Sequence, residues 1–470
     1  MTREHGKNLG RRTFVYLLFG FLQRGLSFLL LPFVTRVLSP DEYGAVSVVV
    51  AGGALFGIVL GSSLESAVFR SVARVSRSSA AILKMTALYL YAILPIAAGV
   101  IALVLYLLDA SLLSVDTRIW AIEILACGLM PAVSFYVLPT LRASNDLRRF
   151  IGVSSVSIGA LFIGKVVFVI SLGQGLLGWV VSDLLAAVFS YLVAFFLVRP
   201  APASVSRKKL RRLVVFALPL VPHRVAFWAL SSLSRPAMTV VLPLSLIGIY
   251  SLAFNFASIA AMVLVELNRA FLAEYSRESF PAPSEVSRRV ARIQILLAFL
   301  APASVGAGVA IAAPILMGEE FLTSLPLIAL LLAAQIAYGI YLIPVNYMVQ
   351  SAGRSGWSWI SSTLGATLIL FCTIMFGDTA GVFGVALITM LGYLVMAVSA
   401  FAIARVQALD IRWSALSLPV SSAVLAVLAT FISFFALTGE SQSTRVFIGS
   451  CGLLAAALAF VAGRSVFRSS

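Results

Sequence analysis

The sequence predicts an all-α integral membrane protein of about fourteen transmembrane helices with both termini cytoplasmic. Three observations predict it: a mean hydropathy of +1.05, apolar runs of membrane-spanning length recurring from end to end, and a strict alternation of basic and charge-poor loops. The 470 residues are 61% hydrophobic and only 11% charged, where a soluble protein has about a quarter of its residues charged. Roughly 20 apolar residues carry a helix across about 30 Å of hydrocarbon. Runs of that length lie at 13–34, 43–64, 86–108, 118–140, 151–171, 177–198, 213–232, 248–270, 292–313, 325–348, 357–376, 382–404, 415–437 and 446–463. No stretch remains for a soluble domain.

The loops fix the orientation. With the N-terminus inside, 27 of the 34 Lys and Arg residues fall in inside loops, whereas the outside loops hold only Arg36, Arg118, Arg235 and Arg445. Positive charge accumulates on the cytoplasmic side of membrane proteins, so both termini are inside and the even number of spans is supported independently. The net charge of +16 follows from this topology. It does not imply nucleic acid, which needs a solvated basic face. The first span follows Arg11 and Arg12 but lacks a small-residue cleavage site and carries Arg24 mid-run, so it reads as a permanent helix and not a cleaved signal. Pro32, Pro95, Pro131, Pro219, Pro222, Pro302 and Pro344 fall inside spans and are expected to bend them.

Several chemistries are excluded early. Cys127, Cys372 and Cys451 stand apart in apolar runs, and His5 and His223 are the only histidines. Neither a disulfide framework nor a zinc site has the spacing it needs. No cofactor, metal site or catalytic residue is expected.

The longest inside loop, Arg199 to Arg212, is rich in Pro, Ser and basic residues and divides the first twelve spans into two sixes. The expected organisation is an N-terminal lobe over 1–200 (spans 1–6), a C-terminal lobe over 201–404 (spans 7–12, preceded by the basic linker 199–212) and two additional helices over 405–470. The functional site is expected inside the membrane, where the two lobes meet. The halves repeat: Gln23-Arg24 in span 1 precedes Thr35-Arg36, and His223-Arg224 in span 7 precedes Ser234-Arg235. Both spans start inside, so the lobes are related by a pseudo-two-fold axis along the membrane normal.

An arginine at membrane depth costs at least about 2.5 kcal/mol, so Arg24 and Arg224 are expected to face a polar cavity, with Gln23, His223 and Asn255 as further substrate-binding candidates. Lys165, Glu123, Asp183 and Glu266 are the remaining intramembrane charges, lining the cavity or pairing structurally. Internal pairing of Lys165 with Glu123 or Asp183 is the expectation, because opposite charges sit in neighbouring spans. Glu65 and Glu266 lie near helix ends, where Arg70 and Arg269 offer salt bridges. Gln335, Tyr338, Tyr341, Asn346 and Gln350 are expected to bond between helices, and Trp120, Trp357 and Trp413 to anchor at the interface.

The segment Leu38-Ser-Pro-Asp-Glu-Tyr-Gly44, after Gly20-Phe-Leu-Gln-Arg-Gly25 and before Gly61-Ser-Ser-Leu-Glu-Ser-Ala-Val-Phe-Arg70, resembles the polysaccharide transporter branch of the multidrug/oligosaccharidyl-lipid/polysaccharide (MOP) flippase superfamily, the Wzx-type flippases. Many relatives carry Asp-Arg where this chain has Ser234-Arg235, which puts in doubt any role tied to that aspartate. The resemblance implies a lobed bundle with a cationic cavity lined by spans 1, 2, 7 and 8 and open alternately to each side. It implies a non-enzymatic flippase of the bacterial cytoplasmic membrane that moves a polyprenyl-diphosphate-linked oligosaccharide outward for O-antigen, capsule or exopolysaccharide synthesis. Its partners would be that lipid, the bilayer, a coupling ion (H+ or Na+) and other polysaccharide-assembly membrane proteins. A lipid II flippase or a multidrug exporter of the same superfamily is the alternative, the exporter disfavoured by the sign of the buried charge. A membrane polysaccharide polymerase or ligase would need a sizeable outside loop with acid and base groups, which this chain lacks.

Overall fold

The computed structural model describes residues 28–73, 77–197, 221–277, 285–354, 357–407 and 418–464, with Val15, Phe19, Leu22 and Gly25 of the first helix. Among the described residues it is all-α apart from one two-residue-per-strand hairpin, and the helices described fall into fourteen rods. These are α1 (through Phe28–Val37), α2 (40–73), α3 (Ile82–Leu107), α4 (Thr117–Ala143), α5 (Leu147–Ser171), α6 (Gly175–Leu197), α7 (Val221–Ser232 and Ser234–Met238), α8 (Leu244–Ser276), α9 (Glu285–Leu316), α10 (Glu319–Ser351), α11 and α12 (the two parts of Ser358–Val406), α13 (Val420–Ala436) and α14 (Gln442–Ala462). Among the described residues nine helices are long and apolar enough to cross a bilayer; one of them is the 49-residue Ser358–Val406, which breaks at Gly381 (φ 63°, ψ −171°). The chain is a multi-pass membrane protein. Backbone contacts divide it into two units, 1–228 and 229–470.

Local chemistry explains where the rods begin and bend. Ser39 caps α2: its Oγ accepts from the Glu42 N–H at 3.3 Å, and Glu42 Oε2 accepts from the Ser39 N–H at 3.1 Å. Pro40 opens the helix, where its missing N–H costs nothing, and Asp41 and Glu42 lie at the positive end of the helix dipole. The Ser-Pro-Asp-Glu motif is therefore a capping box. Between α3 and α4, β1 (Ser111–Leu112) pairs with β2 (Val115–Asp116) across a two-residue turn with Leu113 and Ser114 at positive φ, as a type I′ hairpin requires. Asp116 then caps α4 by accepting from the Arg118 N–H at 2.8 Å. Single wide π turns interrupt α3 at Tyr89–Ile93, α4 at Ala132–Val137, α5 at Lys165–Ser171 and α10 at Tyr347–Ser351. Three of these adjoin Pro95, Pro131, Pro139 or Pro344, where an amide donor is missing from the helical ladder.

Unit 1 closes on a core of Leu90, Val133, Val137, Phe150 and Ala194, all buried. Among the described residues, unit 2 packs around Ile369 and Met396, around Tyr275 and Tyr347, and around Leu296 and Ala459. Lipid is as apolar as leucine, so helices in a membrane associate through close packing of small residues and not through the hydrophobic effect. The wall facing lipid is correspondingly apolar, with Phe371, Phe376, Phe431 and Phe447 more than half exposed.

Gly381 carries the break between α11 and α12 because its backbone conformation is open only to glycine. Gly381→Ala is expected to cost about 1–3 kcal/mol, read as a lower melting temperature of the purified protein, with no effect from the neighbouring exposed-site change Thr379→Ala.

Trp120 corrects an expectation. It is 5% exposed, its ring lies against Gly52, and its Nε1–H donates to the Leu112 carbonyl at 2.9 Å. The hairpin and α2 claim it, so it is a packing residue and not an interfacial anchor. Trp357 is 54% exposed, as an anchor would be, and Trp413 lies outside the described residues.

Candidate functional site

The sequence named five cavity candidates. Gln23 and Arg24 lie outside the described residues, as does the basic linker 199–212. His223 and Arg224 sit in the first turn of α7; the His223 side chain is outside the described set, and Arg224 is half-buried. Asn255 is half-buried on α8, where its Oδ1 accepts from Arg235 Nη2 at 3.4 Å. That guanidinium also lies over the Phe254 ring, 5.0 Å from its centroid. Sequence alone assigned Arg235 to an outside loop, although Ser234-Arg235 repeats the Thr35-Arg36 spacing that marked it.

The clearest built site is within unit 1. A cavity of about 390 Å³ is lined by Leu30 of α1, Gly53 and Gly57 of α2, Glu123, Cys127 and Ser134 of α4, Lys165 of α5 and Trp179 and Asp183 of α6, among others. Lys165 Nζ donates to Asp183 Oδ1 at 2.8 Å and to the Trp179 carbonyl at 2.9 Å, and it stands 3.7 Å from the centroid of the Trp179 ring. The side chains of Lys165 and Asp183 are 5% and 21% exposed, so the carboxylate is the member that looks into the cavity. Glu123 is 7% exposed. Its Oε1 accepts from Cys127 Sγ at 3.5 Å, and Cys127 Sγ also reaches the Gly53 carbonyl at 3.6 Å. Lys165 opens the π turn of α5, a local widening often found at functional positions.

Of the two partners expected for Lys165, the geometry selects Asp183. α5 and α6 are consecutive antiparallel helices joined by a short turn through Gly173 and Gly175, both at positive φ, which sets the two side chains opposite each other. Nothing in the spacing revealed that Trp179, one turn before Asp183 on the same face, completes the ammonium's shell. Glu266 is not part of this group: it pairs with Arg269 at 2.6 Å, one turn further along α8. For Glu65, the side chain of Arg70 lies outside the described residues.

Asn346 and Gln335, expected to bond between helices, do so. Asn346 Nδ2 donates to Asn268 Oδ1 at 2.6 Å, and Gln294 Nε2 donates to the same oxygen at 2.6 Å while its Oε1 accepts from Tyr275 Oη at 2.5 Å. This chain joins α8, α9 and α10. Gln335 donates along its own helix to the Leu331 carbonyl at 3.4 Å and also hydrogen-bonds across to Tyr393 of α12. Asn268 and Gln294 were not singled out in sequence; each lies in a run of helix-forming residues with no motif to mark it.

Residues 9–271 match the family described as polysaccharide biosynthesis protein. The chain belongs to this family. No curated protein matches it significantly. Among solved structures, an inward-closed conformation of the lipid II flippase MurJ superposes with a TM-score of 0.66 over 96% of this chain and all of its own, at 14% identity. An inward-facing multidrug resistance MATE family transporter of the MOP superfamily superposes with a TM-score of 0.63 over 84% of this chain and 95% of its own, at 17% identity. At these identities the likeness is one of fold. This member of the polysaccharide biosynthesis family therefore has the membrane fold of the MOP superfamily.

Proposed function

We propose that this protein is a flippase that carries a polyprenyl-diphosphate-linked oligosaccharide repeat unit from the cytoplasmic to the outer leaflet of the bacterial cytoplasmic membrane, supplying O-antigen, capsule or exopolysaccharide synthesis. The observation that carries the reading is the match to the polysaccharide biosynthesis family over 9–271. The fold shared with MurJ and a MATE transporter supports transport as the activity. A glycan on a diphosphate cannot enter hydrocarbon without losing its hydration. Guanidinium groups hold phosphate oxygens in a bidentate fork, and Arg24 and Arg224, at repeat-related positions in the sequence, are the groups assigned to hold it, with His223, Gln23 and Asn255 as further candidates. Alternating exposure of this cationic site to the two sides would move the headgroup while the polyprenyl chain stays in lipid.

The test is deletion of the gene in its host. Lipid-linked repeat units are expected to accumulate in the cytoplasmic leaflet while surface polysaccharide disappears, and wild type but not Arg24→Ala/Arg224→Ala is expected to restore export. A charged hydrogen bond contributes about 1.5–3 kcal/mol, so each arginine lost should slow export roughly 10- to 100-fold. Full export by the double variant would overturn the assignment. Normal surface glycan with growth arrest on lipid II accumulation, or with altered drug resistance, would move the substrate to the MurJ or MATE class.

A further inference from the structure

Unit 2 holds a cavity of its own, of about 490 Å³, lined by Arg354, Trp357, Ala402, Ile403, Val406 and Gln407. It brings together the turn between α10 and α11 and the last turns of α12, two segments that loop charge places on the cytoplasmic side. Backbone geometry fixes its rim. Gly353, at φ 66°, ends α10 in a left-handed turn, and the Arg354 N–H donates to the Met348 carbonyl at 2.8 Å. Arg354 is thereby set against the end of α12, where its Nη1 donates to the Gln407 carbonyl at the negative end of that helix's dipole. This cap uses one of the five guanidinium N–H donors. It does not involve the Gln407 side chain, whose Nε2 and Oε1 are both buried and both without a hydrogen-bond partner. An amide buried with neither end paired is costly and calls for an explanation.

An apolar track runs into the same cavity. Leu391, Leu394, Val398, Ala402 and Val406 recur at three- and four-residue spacing on one face of α12, all of them exposed. Trp357 lines the cavity at the membrane-interface level that aromatic rings favour. The chemistry of these groups selects their ligand. The Gln407 amide calls for one acceptor and one donor, the remaining Arg354 N–H groups for an anionic oxygen, and the track for hydrocarbon. A glycerophospholipid supplies all of these: phosphodiester oxygens for Gln407 Nε2 and Arg354, a headgroup amine or hydroxyl for Gln407 Oε1, and an acyl chain for α12. A choline headgroup has no N–H or O–H to give, and a free phosphate leaves the apolar track uncovered.

We propose that the end of α12 is a binding site for a phospholipid of the cytoplasmic leaflet whose phosphodiester headgroup carries an N–H or O–H donor, the ethanolamine or glycerol class. The site uses none of the residues assigned to the transported substrate and does not rest on the flippase reading. Bound lipid bridges the α10–α11 turn to the end of α12 through Arg354 and Gln407, and so stabilises unit 2.

The full chain, stripped of lipid in detergent, is titrated with phosphatidylethanolamine, phosphatidylglycerol or phosphatidylcholine of identical acyl chains while its melting temperature is followed. A ligand that binds only the folded state raises that temperature by mass action. At least one of the first two lipids is expected to raise it by several degrees, and phosphatidylcholine and glycerol phosphate are expected to leave it unchanged. Gln407→Leu keeps the backbone carbonyl that Arg354 holds and removes both amide groups, so it is expected to weaken lipid binding about tenfold. In lipid-free detergent the same variant is expected to melt no lower than wild type, because an unpaired buried amide has been replaced by an apolar group. Arg354→Ala is expected to weaken binding too, but it also uncaps α12, so Gln407→Leu decides. No shift from either lipid, an equal shift from phosphatidylcholine or from glycerol phosphate alone, or an undiminished response in Gln407→Leu would overturn the site. So would a Gln407→Leu protein that melts lower without lipid and binds lipid as before, which would assign the amide to residues 408–417 of the chain itself. A shift from a polyprenyl phosphate and from neither phospholipid would give the cavity to the transported lipid and overturn the proposal.

Discussion

Asparagine in place of Asp183 is expected to destabilise the protein by about 3–5 kcal/mol, the cost of leaving a buried charge without its partner. The Lys165 side chain is 5% exposed, and Trp179 holds its ammonium by carbonyl and ring. In the variant it keeps one carbonyl bond and a neutral amide oxygen, and the carboxylate it was paired with is gone, leaving Glu123 of the same cavity, which makes no ion pair with it, as the nearest acid among the described residues. Lys165→Met alone errs the other way, since Asp183 is 21% exposed and can rehydrate or take a proton from the cavity. The asymmetry is the informative result: Asp183→Asn is expected to lower the melting temperature of the detergent-solubilised protein more than Lys165→Met does. Lys165→Met/Asp183→Leu is expected to recover most of the loss, because a buried ion pair replaced as a whole by apolar groups is often neutral. A double variant as unstable as the sum of the two singles would show that the residues do not act as a pair.

The same residues show what was legible in the sequence. An intramembrane Lys165 between acidic spans announces a pair by charge alone, and the neighbouring spans carry the opposite charges that could meet it. It does not choose between Glu123 and Asp183, because that choice depends on how α5 and α6 are rotated by the turn at Gly173 and Gly175. Trp179 and Cys127 carry no charge signal and emerge only when the helices are packed. The span boundaries were readable because hydropathy and loop charge are properties of the chain itself. The expected break between 376 and 382 falls where Gly381 leaves helical geometry. Trp120 was misread because its position near a span end suggested an anchor, whereas a hairpin of six residues, too short to leave a periodic pattern, folds back and buries it. The opposite case is Leu38-Ser-Pro-Asp-Glu-Tyr-Gly44, whose family signature resolves into a capping box with Tyr43 buried behind it.

Leucine at Gly365 is expected to prevent α11 and α12 from docking, a loss of about 3 kcal/mol or more, at the upper end of overpacking effects. A Cβ at Gly365 would stand 2.6 Å from the Gly392 carbonyl oxygen and 3.2 Å from the Met396 Cβ, and one at Gly392 would stand 2.4 Å from Ile369 Cγ1 and 3.0 Å from the Gly365 carbonyl oxygen. The two glycines thus face each other across the helix pair, and the nearest obstacle is main chain, which no rotamer change can move. Ile369 and Met396, both fully buried, seal the crossing on either side. Without a hydrophobic force between helices in lipid, this close approach is what holds the pair, so forcing the rods apart also loses the contacts of Tyr393 and Leu230 around it. Leucine at Gly99, where a Cβ meets nothing within 4 Å on an apolar helix face, is the matched control and should fold normally because it adds the same volume towards lipid. Fluorescence-detected size exclusion of the two variants separates the cases: a monodisperse peak for Gly99→Leu with aggregation or loss of Gly365→Leu supports the crossing, and equal behaviour of both would mean that α11 and α12 are held elsewhere.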